Sequence, residues 1–388
     1  MAMADRLNTA MYGVQRSAIR EFSRMAAQTP GCVRLTLGEP DFDTPAPVCA
    51  KVGEALAAGE THYIENNGAM ALRRRISEYE REANGLDYAP EDVIVTAGAT
   101  EALFVALFGL LNPGDEVIVP TPAFVLYERI IGMCRGVCVP LRTDALDFQI
   151  DGGALEALIT PRTKAIVLNS PNNPTGCVYT RESLEAVRRA VEGREIFVIC
   201  DDVYRRLCYA PEYHSFAEYR DLKDRIIVAQ SFSKPYAMTG WRMGYLLCDA
   251  PVRERLELAH QFIVTSTPAP FQRAGVEALG CNVSGMVEEY CHRRDYVLDR
   301  LRGMNLETPT PEGAFYAFPS IHRFGLNSTD FCVRLLKEGG VAVTPGGAFG
   351  AEDRVRISYC CAMDALKEGL DRLERFIKKL EKEAAHEH

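Results

Sequence analysis

The sequence has no apolar segment long enough to cross a membrane. Its longest apolar run, ALFVALFGLL, covers residues 102–111, about half the length that a membrane-spanning helix needs. The first residues, MAMADRLNTAMYGVQRSAIR, contain no apolar core of the kind that marks a secretory signal. We therefore expect a cytoplasmic protein.

Patterns that form disulfides or bind metals are also missing. The thirteen cysteines include no CxxC pair, and several lie inside apolar runs, as Cys200 does in IFVIC and Cys248 in YLLC. This pattern indicates packed, reduced thiols instead of a disulfide framework. The seven histidines show no spacing typical of metal ligands, so we expect no structural metal.

An excess of positive charge is absent as well. The formal net charge is −9 and the isoelectric point is about 5.5, which argues against a nucleic-acid surface and an anionic membrane. The 388 residues are 47% hydrophobic and 25% charged, as in a globular protein with a large core. This length suits one large domain and a smaller one.

From about residue 90 to residue 250, short apolar runs alternate with helical segments. EDVIVTAG leads directly into the helical pattern ATEALFVALFGLL, and the later runs are EVIVP, GVCVPL, TKAIVLN, EIFVIC and RIIVAQ. Continuously apolar runs are typical of strands that are buried on both faces of a sheet. The pattern predicts an α/β domain with a mostly parallel sheet covered by helices.

The character of the chain changes after about Ala250. Helical patterns extend to about Gly303, short strands follow at GAFYAFP, VAVTPG and DRVRISYC, and a last helix is indicated by AMDALKEGLDRLERFIKKLEKE. We predict a large α/β domain over residues 46–280. A smaller α+β domain would combine residues 1–45 with residues 281–388.

Polar side chains collect where the predicted parallel strands end. In an open α/β sheet, ligands bind outside the carboxyl ends of the strands. The candidates at these ends are Ala99, Thr100, Asn173, Asp201, Asp202, Tyr204, Ser231, Ser233, Lys234 and Arg242. Taken singly, Thr100 and Asp201 have the plainer interpretation of helix caps, and Asn173 that of a turn former.

Together these residues supply what pyridoxal 5′-phosphate needs. A helix N-terminus at Ala99 and Thr100 favours an anion such as phosphate. Lys234 is a candidate nucleophile, because a lysine near a protein interior loses its proton readily and can form a Schiff base. A carboxylate would keep the cofactor's pyridine nitrogen protonated. The residues alone leave open which of the two aspartates does so.

Longer motifs carry a resemblance to one enzyme family. The chain is similar, over nearly its whole length, to the pyridoxal-phosphate-dependent class I/II aminotransferases of fold type I, the aspartate aminotransferase superfamily. The motifs are LTLGEPDFDTP, THYIENNG, TAGATEAL, NPGDEVIVPTPAFVLYE, NSPNNPTG, DDVY, SFSKPYAMTGWRMGY, GAFYAFP and RVRISYC. The resemblance implies that fold, a homodimer with shared sites, and exchange of an amino group between an L-amino acid and a 2-oxo acid.

The resemblance also implies roles for individual residues. It assigns catalysis to Lys234 as the Schiff-base lysine, to Asp201 at the pyridine nitrogen and to Tyr204. Asn173 joins Tyr204 at the ring's phenolic oxygen, and Phe124 stacks on the ring.

The remaining implied roles concern the phosphate and the substrate. The residues that match phosphate-binding positions of the family are Ala99, Thr100, Ser231 and Arg242. Tyr63 matches a tyrosine that reaches the phosphate across the dimer interface. Gly38, Asn173 and Arg356 match substrate-binding positions, and a guanidinium suits the substrate α-carboxylate because it can bind both oxygens.

The substrate side chain is less defined by sequence. SAIREF, GAFYAFPSI and CCAMDALKEGLDRLERF resemble a bacterial subgroup of N-acetyl-diaminopimelate, aspartate and aromatic aminotransferases. We expect glutamate and 2-oxoglutarate to form one substrate pair, with ping-pong kinetics. Two alternatives share the Lys234 chemistry: a β C–S lyase acting on cystathionine or cysteine conjugates, and a cyclopropane-forming synthase. A cofactor-sensing regulator is not expected, because little sequence for a DNA-binding domain precedes Gly38.

Overall fold

The computed structural model describes residues 3–12, 14 and 18–386, and its centre is a seven-stranded sheet. The described strands are β1 (Val33–Arg34), β2 (Val93–Thr96), β3 (Glu116–Thr121), β4 (Val137–Arg142), β5 (Thr163–Asn169), β6 (Phe197–Asp201), β7 (Ile226–Ser231), β8 (Gly244–Cys248), β9 (Tyr316–Ala317), β10 (Val341–Ala342), β11 (Thr344–Pro345) and β12 (Val355–Ser358). The central sheet has the spatial order β2–β8–β7–β6–β5–β3–β4. The strands from β7 to β4 in this order pair in parallel, which confirms the predicted mostly parallel sheet.

Strand β8 is not among the strands that the sequence pattern predicts. It runs antiparallel to both of its neighbours, β2 and β7. Parallel neighbours need a long crossover, usually through a helix. The link over residues 232–243 contains one 3-10 turn, Thr239–Trp241, and no α-helix. The chain therefore returns antiparallel, and Lys234 and Arg242 lie on this link.

Helices cover both faces of the sheet. The described helices are α1 (Ala18–Gln28), α2 (Ala46–Ala57), α3 (Met70–Asn84), α4 (Ala99–Leu110), α5 (Leu126–Met133), α6 (Gly152–Leu158), α7 (Arg181–Val191), α8 (Ala250–Val264), α9 (Ala269–Ala278), α10 (Ser284–Gly303), α11 (Ser328–Arg334) and α12 (Met363–His386). Neighbouring residues of a strand point to opposite faces. Ile94 accordingly packs in one apolar cluster with α4, α5 and α8, whereas Val93 and Val95 pack in another with α3, α7 and α9. None of these helices combines the length and the apolar character needed to span a membrane.

A further apolar cluster is built from α1, α10, α11 and α12 together with the short strands β9, β10 and β12. Strands β11, β12 and β9 form an antiparallel sheet, and β1 pairs in parallel with β10. Met286 and Val287 of α10 contact both this cluster and one cluster of the central sheet. The division into residues 46–280 and residues 1–45 plus 281–388 stays a proposal, which these distinct clusters support. Ser17, the first residue of SAIREF, lies outside the described residues.

The carboxyl ends of three neighbouring strands carry polar side chains. Asn169 ends β5, Asp201 ends β6 and Ser231 ends β7. Asn169 and Asp201 are register partners, and Asn169 Nδ2 donates a hydrogen bond of 2.9 Å to the main-chain oxygen of Asp201. Strand β2 runs in the same direction as β7, because β8 opposes both. Helix α4, which follows β2, therefore begins at this same edge of the sheet.

Candidate active site

A cavity of about 400 Å³ lies at this edge of the sheet. Of the twelve residues to which the family resemblance assigns a role in catalysis or binding, eleven line it. They are Gly38, Ala99, Thr100, Phe124, Asn173, Asp201, Tyr204, Ser231, Lys234, Arg242 and Arg356. The twelfth, Tyr63, lies elsewhere. Residues that are far apart in sequence thus meet around one space.

Lys234 lies on the link between β7 and β8 with its amine directed into the cavity. Nζ donates a hydrogen bond to the main-chain oxygen of Gly38, and it lies 6.0 Å and 5.8 Å from the ring centroids of Tyr204 and Phe315. Burial disfavours the charged ammonium and lowers the pKa of Lys234 to about 8. More of this amine is neutral at physiological pH than in an exposed lysine, and the neutral form is the nucleophile.

Asp201 and Asp202 are both buried but have different partners. Oδ2 of Asp201 accepts a hydrogen bond of 2.5 Å from the Tyr127 hydroxyl, and its Oδ1 has no partner among the described residues. Oδ2 of Asp202 accepts a bond of 2.7 Å from Ser215 Oγ and lies 3.9 Å from Arg205 Nη1. Burial raises the pKa of Asp201 to about 6, and the Tyr127 hydrogen bond opposes this rise. Of the two aspartates, Asp201 lines the cavity.

Arg356 is a buried arginine on β12 that lines the cavity. Nη1 donates a 2.9 Å hydrogen bond to the Asn173 side-chain oxygen, and Nη2 donates one of 2.7 Å to the main-chain oxygen of Thr36. The guanidinium carbon lies 4.4 Å from the ring centroid of Tyr316. These partners are neutral, and a buried charge is costly unless it is paired. The site therefore suits a ligand with a carboxylate.

The start of α4 forms, with two residues beside it, what we call the anion cradle: Gly98, Ala99, Thr100, Ser231 and Arg242. The first N–H groups of a helix lack intrahelical acceptors and favour an anion. Gly98 has a φ of +78°, and a Cβ at this position would lie 2.6 Å from Arg242 Nη2. Glycine thus allows the guanidinium to approach the turn closely. The cradle combines a cation, hydroxyl groups and N–H groups, which suits phosphate.

Two tyrosines that the sequence pattern does not indicate as site residues, Tyr127 and Tyr316, contact residues of the cavity. Tyr127 bonds to Asp201, and its ring meets that of Phe124 edge-on at 6.2 Å. The Tyr316 hydroxyl lies 2.8 Å from that of Tyr204. A Cβ on Gly38 would lie 2.1 Å from the Tyr316 hydroxyl. The available signals were the position of Tyr127 three residues after Phe124 and the place of Tyr316 in GAFYAFP.

Tyr63 lies outside the cavity, on the loop between α2 and α3. Its side chain is 89% exposed, and it lines a surface pocket with His62, Gln272 and Arg273. Within its own chain this residue therefore does not contribute to the cavity. Its exposure leaves it available to a second chain.

The chain is similar to one family over most of its length. The family model described as aminotransferase class I and II matches residues 30–373. A probable N-acetyl-LL-diaminopimelate aminotransferase of Bacillus subtilis is 39% identical over 383 residues, which cover 97% of each chain. An aspartate aminotransferase of Pyrococcus horikoshii is 37% identical over 372 residues, which cover 93% of this chain and 95% of that one.

Solved structures show the same similarity. An aspartate aminotransferase of Thermotoga maritima superposes with a TM-score of 0.92 at 36% identity, covering 96% of this chain and 100% of that one. The aspartate aminotransferase of Thermus thermophilus with maleate has a TM-score of 0.91 at 35% identity, covering 95% and 99%. These superpositions confirm the predicted fold. Proteins of this family generally depend on pyridoxal 5′-phosphate.

Proposed function

The chain belongs to the class I and II aminotransferases, and from this premise we propose that it binds pyridoxal 5′-phosphate in the cavity described above. The family transfers an amino group between an amino acid and a 2-oxo acid. One observation carries the proposal. A buried aspartate oxygen without a described partner and a lysine of lowered pKa line one cavity beside the anion cradle.

Each polar part of pyridoxal 5′-phosphate has a counterpart among the cavity residues. Oδ1 of Asp201 would accept the pyridine N–H, since Oδ2 already accepts from Tyr127. The Tyr204 hydroxyl and Nδ2 of Asn173 would bind the phenolic oxygen, since Oδ1 of Asn173 accepts from Arg356. The anion cradle would hold the phosphate, and Phe124 would supply the aromatic face. The residues therefore fit this cofactor.

The chemistry then divides between the cofactor and the chain. When bound, pyridoxal 5′-phosphate supplies an aldehyde that condenses with amines and a ring that takes up the electrons released at Cα. Nζ of Lys234 would remove the substrate Cα proton and deliver it to the cofactor carbon that carries the aldehyde, and its pKa of about 8 suits a base that operates near neutral pH. Asp201 would hold a proton on the pyridine nitrogen, and the Tyr127 hydroxyl, which donates a hydrogen bond to this carboxylate, would fix its orientation.

We assign the substrate α-carboxylate to Arg356, with Gly38 beside it. Replacing Arg356 with alanine should raise KM for the amino acid and the oxo acid alike by about 100-fold, because truncating a buried charge partner costs roughly 2–5 kcal/mol. Both substrates respond because both carry this carboxylate. Steady-state kinetics with each substrate varied in turn would measure the effect.

Arg354 provides a matched control for this prediction. It precedes β12, and it donates a hydrogen bond of 3.1 Å to the main-chain oxygen of Phe318 without lining the cavity. Arg354→Ala should leave both KM values near those of the wild type. A rise in KM for only one substrate in Arg356→Ala, or equal effects of the two substitutions, would show that Arg356 has another role.

We propose glutamate and 2-oxoglutarate as one substrate pair. The names of the similar proteins support N-acetyl-LL-diaminopimelate, aspartate or an aromatic amino acid as the other amino donor. With a single donor and no acceptor, the protein should release a single equivalent of oxo acid per site and then stop, as ping-pong exchange requires. Addition of 2-oxoglutarate should restart the release, and a panel of these donors would rank them.

Two results would contradict this assignment in different ways. Absence of turnover with 2-oxoglutarate for every donor would remove the proposed pair. Continued release of pyruvate and ammonia from cystathionine without any acceptor would instead identify a β C–S lyase, which uses the same lysine.

We further propose a homodimer in which Tyr63 completes the phosphate site of the partner subunit, as members of this family are typically dimeric. Helix α8 exposes Leu258, Phe262 and Ile263, and the Phe262 side chain is 83% exposed. Leu258 and Phe262 lie on the same side of the helix, and exposed apolar patches mark interaction surfaces. Light scattering should give twice the chain mass of 43.1 kDa.

A further inference from the structure

His260 on α8 is a fully buried histidine that the proposed reaction does not use. Its Nδ1 lies 2.7 Å from Oε1 of Glu101, and its Nε2 lies 2.8 Å from the main-chain oxygen of Asn66. An ionised carboxylate and a carbonyl are both acceptors. Each ring nitrogen thus lies within hydrogen-bonding distance of an oxygen atom, and the imidazole bridges two segments that are distant in sequence.

The first of these segments is the turn that forms the anion cradle. Glu101 lies in the first turn of α4, and its Oε2 accepts a hydrogen bond from the main-chain N–H of Ala97. Thr96 Oγ1 donates a hydrogen bond of 3.1 Å to the main-chain oxygen of Gly98 in the same turn. Glu101 thus fixes the backbone immediately before the N–H groups that would face the phosphate.

The second segment is the loop between α2 and α3, which carries Tyr63. Besides the contact of Asn66 with His260, the N–H of Val95 donates a 2.9 Å bond to the main-chain oxygen of Asn67. The N–H of Ala69 donates a 2.7 Å bond to Oε1 of Gln272. The end of this loop is therefore held against β2, α8 and α9.

We propose that His260 and Glu101 are positioning residues for the cofactor phosphate, joining the anion cradle to the loop that carries Tyr63. This inference rests on the function proposed above. Burying a carboxyl group and an imidazole removes both from water, and such a buried pair is weak evidence of stabilisation, so its presence beside the cradle calls for another role. If Tyr63 serves the partner subunit, each His260–Glu101 pair contacts the anion cradle of its own phosphate site and the loop whose Tyr63 completes the phosphate site of the partner.

The role predicts a loss of affinity that depends on the phosphate group. In His260→Leu and Glu101→Gln, the apo-protein should bind pyridoxal 5′-phosphate at least about tenfold more weakly, because small misplacements of binding groups have large effects. Its affinity for pyridoxal, which lacks the phosphate, should stay close to that of the wild type. Titration of the apo-protein with each compound, followed by visible absorption, measures the two dissociation constants.

Glu116→Gln is a matched control for the loss of a buried carboxylate. Glu116 begins β3 at the opposite edge of the sheet, where it accepts a hydrogen bond of 2.9 Å from Arg162 Nε. This substitution should leave both affinities unchanged. Circular dichroism and thermal unfolding show which variants are folded, and Glu101→Gln decides the matter if His260→Leu does not fold.

The inference is overturned if the variants bind both compounds as the wild type does, or if both affinities fall by the same factor. Either result would reduce the His260–Glu101 pair to a general structural element. A wild-type protein that takes up no pyridoxal 5′-phosphate would instead overturn the proposed function. The two failures are therefore distinguishable.

Discussion

Replacing Lys234 with alanine is expected to abolish amino-group exchange while leaving the cofactor bound. Its amine is the cavity group that we assign to the Cα proton, and loss of a general base alone lowers kcat by about 10²–10⁴-fold. Loss of its covalent role adds to this effect. The anion cradle and Asp201 are untouched, so pyridoxal 5′-phosphate should still bind. Pre-steady-state assays and a cofactor titration would measure the two properties.

Two controls make this result specific. Lys164→Ala removes a lysine of β5 whose amine lies 5.9 Å from the Phe197 ring centroid, away from the cavity lining, and it should keep wild-type turnover. Small primary amines added to Lys234→Ala should restore part of the activity, since they can replace the missing base. Turnover of Lys234→Ala within tenfold of the wild type would end the assignment of this lysine.

Replacing Asp201 with asparagine should lower kcat by roughly 10²–10⁴-fold, because removing one partner of a buried charge pair costs about 3–5 kcal/mol. An amide cannot keep the pyridine nitrogen protonated, so the ring accepts electrons poorly. The same substitution at Asp202 should leave kcat within about tenfold of wild type and reduce thermal stability, because it breaks hydrogen bonds and a charge contact outside the cavity.

This adjacent pair provides a sharp comparison, since both carboxylates are buried and only one lines the cavity. In kinetic assays Asp201→Asn should therefore lose more activity than Asp202→Asn. Thermal unfolding should instead show the greater loss of stability for Asp202→Asn. If Asp202→Asn lost more activity than Asp201→Asn, the identity of the cofactor's aspartate would have to be reversed.

The same two aspartates show how much of the site could be predicted from the sequence. The apolar run EIFVIC predicts a buried strand, and two aspartates after it predict a carboxylate at the edge of the sheet. Side chains alternate between faces along a strand, so one aspartate faces the cavity and the other faces away. Which one does so depends on the placement of β6 among its neighbours, and the motif resemblance, not the residue pattern, pointed to Asp201.

Contacts between distant segments could not be predicted from the sequence pattern, for a related reason. Tyr127 reaches Asp201 across 74 positions, and His260 reaches Glu101 across 159. Periodicity describes neighbours within an element, whereas these contacts depend on how the elements pack. The antiparallel direction of strand β8 could not be predicted from the pattern, because it follows from the absence of a helix in the preceding link. By contrast, the residues at the strand ends could be predicted to lie in one site, because parallel strands bring their carboxyl ends to one edge of the sheet.

The visible spectrum of the purified protein through one cycle of glutamate and 2-oxoglutarate tests the central claim most directly. We predict a yellow protein whose visible band fades when glutamate is added and returns when 2-oxoglutarate follows. Replacement of glutamate by the other donors of the panel would extend the test. A protein that takes up no pyridoxal 5′-phosphate, or a band that no amino donor changes, would contradict the account.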